Sequence, residues 1–201
     1  MSDSPSGRTP AQPSLAGFAP AAPTDRLFLA VYPDAAAAER IAALAQTLRE
    51  RHGLRGRPLA AERLHVTLHH LGDYVDVPGD VVRMAGAAAE RVEASPFEVG
   101  FDRAESFAAR SGKKPFVLLG EHGIAHLAEL QRALGEALRA SGLARWVAPR
   151  FTPHVTLLYD DAAIAAQPVE PVRWRVEEFV LVHSLLGRSQ HTPLARWRLR
   201  G

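Results

Sequence analysis

The chain has 201 residues, enough for one domain or two small fused lobes. Hydrophobic residues at 47% and charged residues at 23% predict a packed core, and a formal charge of +2 permits an anionic ligand without requiring one. The sequence contains no cysteine, which excludes a disulfide framework, a thiol nucleophile and a cysteine-based metal site. No apolar run approaches the ~20 residues of a membrane span, and the N-terminus lacks a secretory layout. We therefore expect a cytoplasmic protein that does not bind a membrane.

The first half of the chain predicts a tail followed by alternating strands and helices. Residues 1–24 are rich in Pro, Ala, Ser and Gly and predict a flexible tail, whereas residues 25–201 predict one bilobal domain. The compact apolar run 27–32 predicts a buried strand, after which Asp34 can cap a helix over 35–51. A strand over 64–71 and a helix over 78–92 follow.

The second half predicts more strands around one long helix. Alternating Phe97, Val99 and Phe101 predict a half-buried strand, and 115–119 predicts another. Leucines recur at helical spacing over 123–141, before Gly142. Further strands are predicted over 151–159, 172–182 and 194–199. This order is not a regular βαβ alternation. It predicts an α+β fold of two pseudo-symmetric lobes, each a small, mainly antiparallel sheet with helices on its outer face, around a central cleft.

Two nearly identical strings stand at corresponding positions of the two halves: His65-Val66-Thr67-Leu68 and His154-Val155-Thr156-Leu157. Their β-branched residues favour strands, in which alternate side chains share a face. In each string the histidine and threonine should therefore face the cleft, with the apolar residues in the core. The same alternation, continued along the first strand, predicts that His69 faces the cleft and that His70 points into the core.

Paired histidines and threonines suit the chemistry of a phosphodiester. A neutral imidazole can take a proton from water, while a protonated one gives a proton to the departing ribose oxygen. Each threonine hydroxyl can donate a hydrogen bond to a phosphate oxygen that gains charge in the transition state. This chemistry needs neither a metal nor a cofactor, and we expect none. His65 and His69 could resemble a zinc pair, but that spacing requires a helix, which Val66 and Thr67 disfavour.

These strings resemble the 2H phosphoesterase superfamily, and most closely its bacterial RNA 2′,3′-cyclic phosphodiesterase, or 2′-5′ RNA ligase-like, branch. The opening 26–30, the second motif's flanks over 151–158 and the closing segment 187–197 are similar to that branch as well. The resemblance implies that His65 is the proton donor, that His154 is the proton acceptor, and that Thr67 and Thr156 hold the substrate phosphate. It also implies hydrolysis of RNA or nucleoside 2′,3′-cyclic phosphate ends to 2′-phosphates.

Two departures from the family pattern concern substrate recognition. His69 and His70 replace the small and aromatic residues common after the first motif, and Tyr159 stands where relatives often carry a basic residue. Of these, His69 is a candidate substrate contact. Arg150, just before the second motif, is another, with a solvated surface role as the alternative.

Two other functions remain compatible with these residues. One is ATP-independent joining of RNA through 2′-5′ linkages, which is the reverse reaction. The other is a protein that binds RNA ends or nucleotides without turnover. In each case the expected partner is RNA or a nucleotide with a 2′,3′-cyclic phosphate end, and we predict a monomer without an obligate protein partner.

Overall fold

A computed structural model describes residues 21–109, 112–188 and 190–200. The helices are α1 (Ala35–Arg51), α2 (Gly79–Ala89) and α3 (Ile124–Ala140), and single 3₁₀ turns lie at Ala61–Arg63 and Ala144–Trp146. The strands are β1 (Asp25–Val31), β2 (Val66–Tyr74), β3 (Phe97–Ser106), β4 (Lys114–Leu119), β5 (Val155–Asp160), β6 (Gln167–Val176), β7 (Glu178–Leu185) and β8 (Gln190–Arg198).

The strands form two four-stranded antiparallel sheets, so the α+β prediction is confirmed. Sheet one has the order β2-β1-β7-β8, and sheet two has the order β5-β4-β3-β6. Sheet one therefore takes its strands from both ends of the described chain, and sheet two from the middle. Strands β2 and β5, which carry the two repeated strings, each lie at the edge of their own sheet and pair with one neighbour.

One sequence prediction of the fold is wrong. The single strand expected over 172–182 is two strands, because β6 ends at Val176 in sheet two and β7 begins at Glu178 in sheet one. Exposed Glu177 alone links them. The change of sheet coincides with a change in the pattern of buried and exposed residues. Buried residues alternate with exposed ones up to Val176, whereas four consecutive residues from Phe179 onward are buried.

The helices join the two sheets through one hydrophobic core. Asp34 accepts a hydrogen bond from the backbone N–H of Ala37 at 2.8 Å, which confirms the predicted N-cap of α1. Although α1 follows a strand of sheet one, it packs against β5 and β6 of sheet two. Helix α3 packs against α2 and contacts both β2 and β3. The main core is therefore continuous across both sheets.

The predicted tail, residues 1–24, lies mostly outside the described residues. Residues 21–24 form no helix or strand. Thr24 is nevertheless tied to sheet one, since its backbone N–H donates to the Tyr74 carbonyl and its carbonyl accepts from the Leu186 N–H. None of the helices in the described part of the chain is long and apolar enough to cross a bilayer.

The loop between α1 and β2 is fastened to the end of β5. The buried carboxylate of Asp160 accepts the backbone N–H groups of Arg55 and Gly56 at 2.7 and 2.6 Å. The Ala162 N–H, which also donates to this carboxylate, and then the Gly56 and Arg55 bonds hold the pKa of Asp160 below its usual value. A Cβ placed on Gly56 would lie 2.2 Å from the Tyr159 carbonyl oxygen, so only glycine fits this contact.

We expect Gly56→Ala to lower the free energy of unfolding by about 1–3 kcal/mol, because the added methyl group forces the loop away from β5. Urea denaturation measures this change. Gly86→Ala is a matched control, since a Cβ there meets nothing within 4 Å in α2. That variant should gain up to about 1 kcal/mol from helix propensity. Equal stability of the two variants would contradict the steric interpretation.

Candidate active site

The two repeated strings hold their histidines in the same way. His65 and His154 each stand one residue before an edge strand. His65 Nδ1 donates to the Arg63 carbonyl at 2.7 Å, and His154 Nδ1 donates to the Thr152 carbonyl at 2.7 Å. A carbonyl oxygen can only accept, so these bonds place the proton of each neutral ring on Nδ1. In both rings Nε2 is therefore the nitrogen that remains for acid–base chemistry.

A β-bulge interrupts both motif strands at the same position. In sheet one, Ala30 pairs with Thr67 and the adjacent Leu29 pairs with His69, so Leu68 is the extra residue. In sheet two, the register shifts in the same way between Thr156 and Leu158, at Leu157. Each bulge reverses the alternation of faces after the motif threonine.

The prediction for His69 and His70 is wrong because of this bulge. His69 is 2% exposed, and its Nε2 donates to the Gln131 carbonyl of α3 at 2.8 Å. It is therefore the core histidine and does not reach the cleft. His70 is exposed and lines the cleft. In sheet two, Leu158 is correspondingly buried and Tyr159 is 48% exposed in the cleft.

Both histidines and both threonines of the motifs line one cavity of about 340 Å³, which we call the cleft. Two arginines and two further histidines also line it, and none of its described lining residues is Asp or Glu. Such a cavity favours an anion. The lining residues are Arg26, Phe28, Leu59, Arg63, His65, Thr67, His70, His154, Thr156, Tyr159, Ser184, Leu185, Leu186, Gly187 and His191.

Aromatic rings surround His65 on its sheet-one side. Phe28 stacks on its ring with 4.9 Å between centroids, and His191 meets it edge-on at 5.2 Å. Burial lowers the pKa of His65 to about 4, and the positive charges of His154 and Arg63 act in the same direction. Across the cleft, Phe107 contacts the His154 ring edge-on at 5.0 Å.

An ion-pair network connects cleft residues of β1 and β2. Arg26 Nε and Nη2 donate to the two carboxylate oxygens of Asp73 at 2.7 and 2.8 Å, and His70 Nε2 contacts the same carboxylate at 2.9 Å. The Arg26 hydrogen bond is the main reason that the pKa of Asp73 is lowered to about 2. A bidentate pair of this kind restrains the guanidinium where it faces the cleft.

Several other candidates lie elsewhere. Arg150 is exposed and is not among the cleft-lining residues. Arg55 and Lys114 both contact Asp161 at the end of β5. Trp174 is buried and stacks on Phe101.

Sequence reasoning missed Arg63, His70 and His191 as cleft residues. His70 carried a usable signal, because the second string continues with two consecutive leucines, Leu157 and Leu158, which is typical of a bulge in an otherwise alternating strand. By analogy, a bulge at the same position of the first string would have placed His70 on the cleft face. His191 carried no such signal, since only the folded chain brings it beside His65, whereas Arg63 lies two residues before His65 in the sequence.

The lowered pKa values make stability depend on pH. Burial lowers the pKa of His65 and of His191 to about 4 in the folded protein, against about 6.5 in the unfolded chain. Between pH 6.5 and 4 the unfolded chain therefore binds more protons. We expect the free energy of unfolding to fall as the pH drops through this range and the contribution of both rings to be complete above it.

His191→Phe should make this pH dependence shallower by about one proton taken up on unfolding. Urea denaturation at several pH values between 4 and 7 measures the slope directly. A slope identical to that of the unmodified protein would contradict the lowered pKa of His191.

The fold and the cleft define a class of protein: two antiparallel sheets whose edge strands present paired His-x-Thr motifs to a cleft lined by arginines and histidines. Residues 32–188 match the 2′-5′ RNA ligase superfamily, and the chain belongs to that family. It is 34% identical over 152 residues to RNA 2′,3′-cyclic phosphodiesterase of Escherichia coli (strain K12), covering 72% of this chain and 80% of that protein.

Solved structures show the same architecture. E. coli LigT complexed with 3′-AMP superposes with a TM-score of 0.72 at 30% identity, covering 88% of this chain and 99% of that one. TT0787 of Thermus thermophilus superposes with a TM-score of 0.66 at 26% identity, covering 88% and 98% of the two chains. The family prediction made from the two motifs is confirmed.

Proposed function

We propose that this protein hydrolyses the 2′,3′-cyclic phosphate ends of RNA or of ribonucleosides to 2′-phosphates, without a metal or a cofactor. The main support is the cleft, where two histidines with identically fixed Nδ1 protons and two motif threonines surround one space, and where no carboxylate is among the described lining residues. The activity printed for the E. coli relative supports the same substrate class.

The proposed reaction uses Nε2 of both rings. Neutral His154 takes a proton from water as the water oxygen bonds to phosphorus. The bond from phosphorus to the ribose 3′-oxygen breaks, and protonated His65 gives that oxygen its proton. Thr67 and Thr156 donate to the non-bridging oxygens, where negative charge increases. The products are a 2′-phosphate and a 3′-hydroxyl, and solvent exchange restores both rings.

This direction of proton transfer places a requirement on the substrate. The low pKa of His65 keeps its ring neutral at pH 7. A phosphodiester carries one negative charge, and an opposite charge beside an imidazole raises its pKa. His65 therefore acts as the proton donor only if the bound phosphate raises its pKa enough for the ring to be protonated. In the alternative assignment, His65 accepts the proton and His154 donates it.

The name of the matching family favours a second candidate, ATP-independent 2′-5′ RNA joining. A 5′-hydroxyl would then replace water as the nucleophile, and the same cleft residues would serve. Incubation of RNA ends carrying a 2′,3′-cyclic phosphate with RNA carrying a 5′-hydroxyl distinguishes the two by whether longer products accumulate.

The function is tested with the four nucleoside 2′,3′-cyclic phosphates and an RNA ending in a cyclic phosphate. Phosphorus NMR identifies the product, and we expect a 2′-phosphomonoester at an undiminished rate in EDTA. Tight nucleotide binding without turnover of any of these substrates would instead identify a binding protein. The cytoplasmic location and the monomeric state stay predictions from the sequence.

A further inference from the structure

A third histidine, His191, faces the cleft beside His65, and neither motif contains it. The backbone pairing explains its position, because His191 of β8 pairs with Ser184 of β7, and Ser184 pairs with Arg26 of β1. Residues directly opposite each other in antiparallel strands share a face. All three line the cleft.

Tyr32 is the hydrogen-bond partner of the His191 ring. The Tyr32 hydroxyl lies 3.2 Å from His191 Nδ1. Desolvation raises the pKa of Tyr32 to about 12, so the hydroxyl keeps its proton and can donate it to Nδ1. A neutral ring that accepts at Nδ1 carries its own proton on Nε2. Donation from Tyr32 would give His191 the opposite tautomer to His65 and His154, whose Nδ1 atoms donate to carbonyls.

The surroundings of His191 keep the ring neutral and restrained. Phe28 meets it edge-on at 5.3 Å, and His65 does so at 5.2 Å. Burial lowers the pKa of His191 to about 4, with the charges of His65 and Arg63 acting in the same direction. At neutral pH the ring thus offers an N–H donor at Nε2 and does not compete with His65 and His154 for the transferred proton.

We propose that His191 is a third substrate-binding imidazole that donates its Nε2–H to a non-bridging oxygen of the scissile phosphate. The two threonines act on this phosphate from the motif strands, whereas His191 acts from β8. Tyr32 is a positioning residue, because it determines which nitrogen of His191 carries the proton. This inference rests on the proposed function for its substrate, but the tautomer and phosphate binding can be measured without turnover.

The test compares three variants with the unmodified protein: His191→Phe, His191→Gln and Tyr32→Phe. Phenylalanine keeps the ring contacts with Phe28 and His65 but removes the donor. We expect it to lower kcat/KM for the preferred cyclic phosphate by about 10- to 100-fold, as for a lost hydrogen bond to a charged group. Glutamine places an amide N–H near the position of Nε2 and should restore most of the rate. Tyr32→Phe should give an intermediate loss. A thermal melt of each variant excludes misfolding.

A binding measurement separates this inference from the hydrolysis itself. Nitrogen NMR should show the His191 proton on Nε2, and inorganic phosphate should shift that resonance. His191→Phe should weaken phosphate binding by about tenfold or more. If the proton resides on Nδ1, or if His191→Phe binds phosphate and turns over substrate normally, the inference is overturned. An unmodified protein that binds phosphate through His191 but hydrolyses no cyclic phosphate would contradict the proposed function alone.

Discussion

His65→Ala and His154→Ala should each lower kcat by about 10²- to 10⁴-fold, the range for loss of one positioned acid or base. The reason is geometric, since each ring has its Nδ1 held by a backbone carbonyl and presents Nε2 to the same cleft. Steady-state hydrolysis of a nucleoside 2′,3′-cyclic phosphate measures the loss. Because the two rings act in one proton-transfer cycle, the double variant should be little slower than either single variant.

His122→Ala is the matched control, because His122 is exposed and does not line the cleft. Its rate should equal that of the unmodified protein. Full activity of His65→Ala or of His154→Ala, with an unchanged thermal melt, would falsify the two-histidine mechanism.

A modified substrate assigns the donor within the same experiment. In a substrate with sulfur in place of the 3′-bridging oxygen, the leaving group departs as a thiolate. Its departure needs no proton from a general acid. We expect this substrate to restore activity to His65→Ala and not to His154→Ala, as the proposed direction requires. Restoration of His154→Ala alone would reverse the two roles, in line with the low pKa of His65.

Thr67→Val and Thr156→Val should each lower kcat by about 30- to 1000-fold, equivalent to ~2–4 kcal/mol of transition-state stabilisation. Valine keeps the shape of threonine and removes only the hydroxyl donor. Both threonines are partly buried beside the histidines of their own strands, and both line the cleft. The loss should therefore occur in kcat more than in KM.

Serine at either position is the matched control, because it keeps the hydroxyl and loses only a methyl group. We expect Thr67→Ser and Thr156→Ser to stay within about tenfold of the unmodified rate. Valine variants as active as the serine variants would show that the hydroxyls do not stabilise the reacting phosphate.

The two bulges show where sequence reasoning succeeded and where it stopped. The alternation rule correctly placed His65 with Thr67 and His154 with Thr156, because these pairs precede the extra residues Leu68 and Leu157. Beyond the bulge the same rule assigned His69 and His70 to the wrong faces. A bulge depends on pairing with a neighbouring strand, so a single strand's pattern reveals it only indirectly.

The change of sheet at Glu177 was also missed because it depends on pairing with other strands. Residues 172–182 have strand character throughout, and their sequence alone gives no partner for either half. Pairing of β6 with β3 and of β7 with β1 and β8 divides the run between the two sheets. Strand propensity is local, whereas strand partnership depends on residues far away in the chain.

The sequence by itself determined the α+β class, most of the elements, the family and the two His-x-Thr motifs. The elements and the motifs follow from residue type and short spacing, which act within one helix or one strand, and the family follows from the resemblance that the motifs and their flanks carry. Only the tertiary structure decided that both motif strands lie at sheet edges, that His70 and not His69 faces the cleft, and that His191 stands beside His65. The physical reason is that cross-strand pairing and burial bring together side chains that are distant in the chain, and those contacts determine the direction and the protonation of each ring.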